Sequence, residues 1–363
     1  MSISLPFTLR AHHVIFDARI NGTPAKLVLD TGSSMCALDS DWASALRLES
    51  GKSAQAVGTD SLSISLAILD SLELGPDVVL RSVPAALAPL REVSERFGQV
   101  VHGTVGWPLF MQYVVEIDYA SRVVLLHDPS TFAYHGTGER IPLDLSKRVP
   151  VLGAELVAGG ETIPVRLLLD LGTGGYASLL TKPFVDQHAE SITAGPCIER
   201  VLGTGVGGSV HGRVTALDAL RLGRLNVPNP YVAVPETDRG FFGVTWVDGT
   251  LGAPVLSRTR LILDYAHQEV IIEPVTAMDA PFAVDQSGLS FRADGANLDT
   301  VVIDAVADGS PAARAGIAVG DVIRSVNGRA ISGASIDWVA DVLTQAGATH
   351  SLRVEREVPL ALR

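Results

Sequence analysis

Cysteine is nearly absent from this sequence. Cys36 and Cys197 are the two in 363 residues. Neither belongs to a Cys-x-x-Cys pair, so a disulfide framework or a zinc ribbon is unsupported and two ordinary buried thiols are expected. Positive charge is also in short supply: 28 Lys and Arg stand against 40 Asp and Glu, a formal net charge of −12. No block of Lys or Arg interrupts that balance, which argues against nucleic acid or an anionic membrane as a main partner. No apolar run reaches membrane-spanning length, and Met1 to His13 has no signal-like apolar core. The expectation is a cytoplasmic protein, or a periplasmic or secreted one if a leader has been removed. The nine histidines are scattered, with no His-Glu-x-x-His run. His12 and His13 should lie on opposite faces of a strand, and neither a metal nor a cofactor is expected. The four tryptophans, Trp42, Trp107, Trp246 and Trp338, are too dispersed for a binding stripe and read as packing residues.

Glycine and proline, by contrast, are abundant, at 35 and 20 residues, and 47% of the chain is hydrophobic. That combination favours turn-rich β structure with large cores, in two or three domains.

The organising stretch is Leu27-Val28-Leu29-Asp30-Thr31-Gly32-Ser33-Ser34. An apolar strand runs directly into a carboxylate, and a carboxylate so placed is costly unless hydrogen-bonded or shared with a partner. Leu167-Leu168-Leu169-Asp170-Leu171-Gly172-Thr173 repeats the pattern 140 residues later. Each copy is preceded by a predicted hairpin: Val14 to Ile20, Asn21-Gly22 and Ala25 to Leu29 in the first, Val151 to Val157, Gly159-Gly160 and Ile163 to Leu169 in the second. Two more blocks recur at an offset of 146: Gly103-Thr104-Val105-Gly106 with Gly249-Thr250-Leu251-Gly252, and Ile117-Asp118-Tyr119-Ala120 with Leu263-Asp264-Tyr265-Ala266. Three matched blocks in one order indicate a duplicated lobe rather than a solenoid. Asp118 and Asp264 read as structural turn aspartates. Between the blocks, a helix is expected over Asp41 to Leu48, and two strands over Leu62 to Leu66 and Ser71 to Leu74.

Two such aspartates brought together across a pseudo-two-fold axis would share one proton. The ionised member could take a proton from water while the protonated member donates to a carbonyl oxygen, which is general acid–base amide hydrolysis. Asp30-Thr31-Gly32-Ser33-Ser34 resembles the active-site signature of pepsin-like and retropepsin-like aspartic proteases, with Val100-Val101-His102-Gly103 and Asp248-Gly249 resembling the family's apolar-apolar-Gly elements. The resemblance spans Leu5 to Pro274 and implies a mainly β, bilobal double barrel, with lobes over 1–136 and 137–275. It implies that Asp30 and Asp170 are the catalytic dyad and that Gly32 and Gly172 let backbone approach the carboxylates. Ser33 and Thr173 would bond the outer carboxylate oxygens, and Thr31 would be half of a threonine pair crosslinking the loops. Leu171 occupies the other half. No tyrosine stands in the expected first flap, Gly58 to Leu66.

Gly203-Thr204-Gly205-Val206-Gly207-Gly208 satisfies a dinucleotide-site pattern, but Ser209 to Val214 reads as a returning hairpin strand rather than a helix. Gly205 and Gly207 are therefore read as the second flap, opposite Gly58, over a peptide or protein substrate. From Gly288 the pattern changes. The order Gly288-Leu289-Ser290-Phe291, Val301 to Val306, Gly309 to Ile317, Val319 to Gly328, a helix over Ser335 to Gln345 and a strand over Leu352 to Glu355 resembles a PDZ domain, an α+β module over 276–363. That resemblance implies capture of a protein C-terminal tail as an added strand, with Gly288, Leu289, Ser290 and Phe291 as the carboxylate loop. A serine protease is disfavoured because no Gly-Asn-Ser-Gly run occurs.

Overall fold

The computed structural model describes residues 2–48, 51, 53–58, 60–205, 208–331, 336–345 and 347–356. It is mainly β. The strands His13–Ile20 and Thr23–Leu29 form the first hairpin, with Asn21 at φ 48° and Gly22 at φ 79° in the turn. A left-handed pair of this kind matches the strand twist, which is why Asn-Gly serves there. The hairpin continues into an eight-stranded sheet closed on itself by pairing of Arg19 with Glu73 and Ile20 with Leu72. The second copy pairs Val151–Ala158 with Glu161–Asp170.

The duplication reaches the level of register. Leu27 to Leu29 pair in parallel with Gly103 to Val105, and Leu167 to Leu169 pair in parallel with Gly249 to Leu251. Even the residue before each glycine does the same work. His102 N–H donates to the Lys26 carbonyl and its Nδ1 accepts from Lys26 N–H (2.9 and 3.0 Å). Asp248 N–H donates to the Arg166 carbonyl and its Oδ2 accepts from Arg166 N–H (both 2.8 Å). An unlike side chain in the two copies thus satisfies the same strand N–H.

A six-stranded sheet joins the lobes, in the order Ile3–Pro6, Val123–His127, Val114–Asp118, Thr259–Asp264, Glu269–Pro274, Glu139–Pro142. Glu116 pairs across the seam with Ile262, its own repeat equivalent, so the pseudo-two-fold axis passes there. Asp118 and Asp264 cap turns: Asp118 Oδ1 accepts from Ala120 and Ser121 N–H, and Asp264 Oδ1 from His267 N–H.

Some boundaries differ from expectation. The first helix spans Ser40–Ala45, capped by Asp39, whose Oδ1 accepts from Trp42 N–H at 2.9 Å. The two strands expected between Leu62 and Leu74 are one, Ser61–Glu73, because the Val79–Ala88 strand pairs across the expected gap, from Ser65 to Glu73. His12 is not on a strand: with φ 68° it sits in a turn, and His13 begins the strand. A helix over Arg91–Phe97 was not anticipated. The Val275 to Gln286 segment is irregular, and Arg258 holds it by donating to the carbonyls of Met278 (3.0 Å), Ala280 (2.7 Å) and Pro281 (3.3 Å). The last sheet is built from Leu289–Asp294, Thr300–Val306, Val322–Val326, Arg329–Ala330 and Leu352–Glu355, with helices Pro311–Arg314 and Ile336–Leu343 around a small core of Ile303, Ile323, Val326 and Val339. Ser335 lies outside the described residues.

Candidate active site

Each aspartate stands where a strand ends against its parallel neighbour. Asp30 N–H donates to the Val105 carbonyl at 3.0 Å, and Asp170 pairs with Gly252. The apolar residues before them are buried: Leu27, Leu29, Leu167 and Leu169 are fully inaccessible. These anchors push the carboxyl groups to the seam between lobes, where each faces the glycine of the other loop.

The loops approach so closely that the glycines are required. A Cβ on Gly32 would lie 2.8 Å from Asp170 Oδ1, and one on Gly172 would lie 3.0 Å from Asp170 Oδ1 and 3.1 Å from Asp30 Oδ1. Each glycine N–H also donates to the aspartate of its own loop: Gly32 to Asp30 Oδ1 at 2.9 Å, Gly172 to Asp170 Oδ1 at 2.7 Å.

Beyond that the two aspartates differ. Thr173 Oγ1 donates to Asp170 Oδ2 at 2.8 Å. Ser33, expected to do the same for Asp30, donates instead to the Met35 carbonyl at 2.6 Å. The local turn offers Ser33 a closer backbone acceptor, and short hydroxyl side chains take such acceptors readily. Burial pushes both carboxyls above the ordinary range. For Asp30 the Asp170 charge adds to the effect and carries it up to about 8, with the Gly32 N–H opposing. For Asp170 burial is opposed by Thr173, by Gly172 and by the charge of His13. Both carboxyls are thus raised, and more groups oppose the rise at Asp170 than at Asp30.

Thr31, 1% exposed, crosslinks the loops from one side. Its Oγ1 donates to the Leu169 carbonyl at 2.7 Å and accepts from Leu171 N–H at 3.0 Å. Leu171 is equally buried and joins the main core, so its side chain contributes packing where a threonine would return both bonds.

His13 escaped the sequence reading. It is buried, its Nε2 lies 2.9 Å from the Gly172 carbonyl oxygen and its Nδ1 lies 3.3 Å from that of Arg10. Its ring meets the Phe97 ring edge-on at 4.6 Å. Nothing in the local pattern distinguishes it from an ordinary strand residue. Its role comes from the other lobe's loop reaching it.

The expected flaps are hairpins: Ser53–Val57 with Ser61–Glu73, and Cys197–Gly205 with Gly208–Ala216. Gly58, in the first tip, accepts from Phe241 N–H of the second lobe at 2.9 Å. Gly205 ends its strand, and Gly207 lies outside the described residues. Gly288, at φ 77°, opens the expected carboxylate loop, and Leu289, Ser290 and Phe291 begin the strand after it. Leu289 N–H is already used, donating to Ser287 Oγ at 3.1 Å. Among the described residues no group of three or more His, Cys, Asp and Glu side chains could hold a metal ion, and no helix is long and apolar enough to cross a membrane.

Two family models match parts of this chain. An aspartyl protease family model matches residues 16–109, and a PDZ domain model matches residues 302–356. A solved retropepsin-like aspartic protease from Rickettsia conorii is 18% identical, with 35% of this chain and 89% of that chain covered at a TM-score of 0.25. No curated protein matches. The chain thus carries an aspartyl protease domain and, toward its C-terminal end, a PDZ domain.

Proposed function

We propose that the protein is an aspartic-type endopeptidase in which Asp30 and Asp170 activate a water between them. The observation that carries this reading is the close approach of the two aspartate loops, in which each glycine lies against the carboxyl group of the other loop. In the singly protonated pair, Asp170 takes a proton from the attacking water. Asp30 donates its own to the scissile carbonyl oxygen, and the resulting tetrahedral intermediate collapses as a proton passes to the leaving nitrogen. Gly32 and Gly172 N–H groups hold the inner carboxylate oxygens in place throughout. The two hairpins cover the bound peptide, and the PDZ domain engages an extended segment of a protein partner.

Leu171 favours a second reading, a peptide-binding protein of weak or no catalysis, because the loop crosslink is one-sided. Incubation with a mixed peptide library at acidic and neutral pH, analysed by mass spectrometry, separates the two. Cleavage by the parent chain that is lost in both Asp30→Asn and Asp170→Asn supports the peptidase. Cleavage that survives both substitutions, or none at all with peptide binding retained, overturns it.

A further inference from the structure

Among the described residues the strand Leu289–Asp294 is at the edge of its sheet, with Thr300–Val306 on one side and no strand on the other. A PDZ domain takes an extended peptide at such an edge, with the peptide N–H groups donating to strand carbonyls and its side chains seated against the neighbouring helix. Here the chain itself occupies those positions. Residues two apart on a strand point their carbonyls the same way, and Leu289 and Phe291 form such a pair. Phe291 O accepts from Arg96 Nη1 at 2.9 Å and Leu289 O accepts from Arg200 Nη2 at 3.4 Å.

Both arginines are anchored. Arg96 also donates to Ser290 Oγ at 3.2 Å and pairs with Asp304. Asp304 is the residue skipped in the register between Ala305 and Ile303, a bulge that turns its side chain out of the ladder. Arg200 also donates to Asp285 Oδ2 at 2.9 Å and to its carbonyl at 2.8 Å. Around them the Arg91–Phe97 helix is seated on both walls of the groove. Arg91 donates to the Gly295 carbonyl at 3.1 Å, and Arg292 pairs with Glu95 at 3.2 Å. A Cβ on Gly98 would lie 2.9 Å from Cγ2 of Ile336, the first residue of the groove helix.

We propose that the peptide edge of the PDZ domain is held shut by the chain's own Arg96 and Arg200. An extended peptide segment of a protein partner opens it by taking the carbonyls of Leu289 and Phe291. Arg200 stands on the Cys197–Gly205 strand of the second hairpin, so its displacement unties that hairpin from the PDZ domain. Displacement of Arg96 loosens the helix whose Phe97 packs on His13, and His13 holds the Gly172 carbonyl. The effect on cleavage rests on the peptidase reading above, whereas the closure of the edge does not.

The test therefore reads binding, in a full chain carrying Asp30→Asn so that no probe is consumed. The probe is the tightest ten-residue peptide, free at its C-terminus, selected from a random library on the same chain with Arg96→Ala and Arg200→Ala added. Fluorescence anisotropy should show the probe binding that variant about tenfold or more tightly than the chain with both arginines, a step of about 1.4 kcal/mol. On the latter chain, saturating probe should speed hydrogen exchange in Cys197–Gly205. Equal affinity, unchanged exchange, or a folded variant that selects no peptide would overturn the proposal. A second arm uses Gly98→Cys with Ile336→Cys and Cys197→Ser; the two Cβ positions lie 3.3 Å apart by construction at Gly98, near disulfide range. The oxidised lock should abolish probe binding and reduction should restore it; equal binding in both states would also overturn the closure.

Discussion

Thr31 reaches across the lobe boundary and closes both ends of one peptide segment, donating to the Leu169 carbonyl and accepting from Leu171 N–H, while Leu171 returns neither bond. The two aspartate loops are thus joined by one threonine and by apolar packing of the residue where a second would stand.

Thr31→Val should therefore be costly for so small a change. It leaves a buried carbonyl and a buried N–H without partners, at about 1–3 kcal/mol for each. Urea unfolding should report a loss of roughly 2–6 kcal/mol by that reckoning. A change within about 0.5 kcal/mol, ordinary for a surface substitution, would show that the crosslink does not hold the lobes.

Stability should fall as pH rises toward neutrality, against the usual trend. Both carboxyls are raised in the folded chain, Asp30 to about 8 from an ordinary 3.8, so between those values the folded state binds more protons than the unfolded one. Stability is then full at low pH and declines as pH climbs through that window. Asp30→Asn removes the burden and should raise Tm at pH 7.5, with the gain vanishing near pH 4. A variant less stable than the parent at pH 7.5 would contradict this.

Thr173→Val and Ser33→Ala should part company in their pH profiles. Thr173 donates to Asp170, so its loss raises the lower limb of a cleavage–pH curve, which reports ionisation of that carboxyl. Ser33 faces the Met35 carbonyl, so its loss should leave both limbs in place. Equal shifts in the two variants would mean that Ser33 turns to Asp30 in solution.

Gly32→Ala should disable the site while sparing the fold. The added Cβ would lie 2.8 Å from Asp170 Oδ1 and must drive the carboxyls apart. On the proposed mechanism, loss of the positioned acid and base is worth about 100-fold or more in rate. Near-parental kcat with an unchanged pH profile would refute the close approach.

His13→Gln tests the contact that sequence did not reveal. The amide can still donate to the Gly172 carbonyl but carries no charge to favour the Asp170 anion. The lower pH limb should move up with little change in Tm. A large loss of stability with an unmoved limb would reduce His13 to a packing residue.

The duplicated strands, the two aspartates and the glycines beside them were legible in the sequence because each is a local pattern. Apolar runs end at a carboxylate, and the pattern recurs with an offset of 140 that drifts to 146. The paired register of Leu27 with Gly103 and Leu167 with Gly249 follows from the same copies. The unlike Thr31 and Leu171 were also legible, but the tertiary structure decided the other inequalities between the copies. Ser33 and Thr173 occupy matching positions with hydroxyl side chains, yet one turns to a backbone carbonyl and the other to the aspartate, a choice set by loop geometry that identity alone does not encode. His13, Arg96 and Arg200 acquire meaning only when the chain brings Gly172, Phe291 and Leu289 beside them, 159, 195 and 89 residues away along the sequence. Contacts at that separation have no short-range signature, because they are selected by how whole lobes dock and not by the periodicity of any one strand.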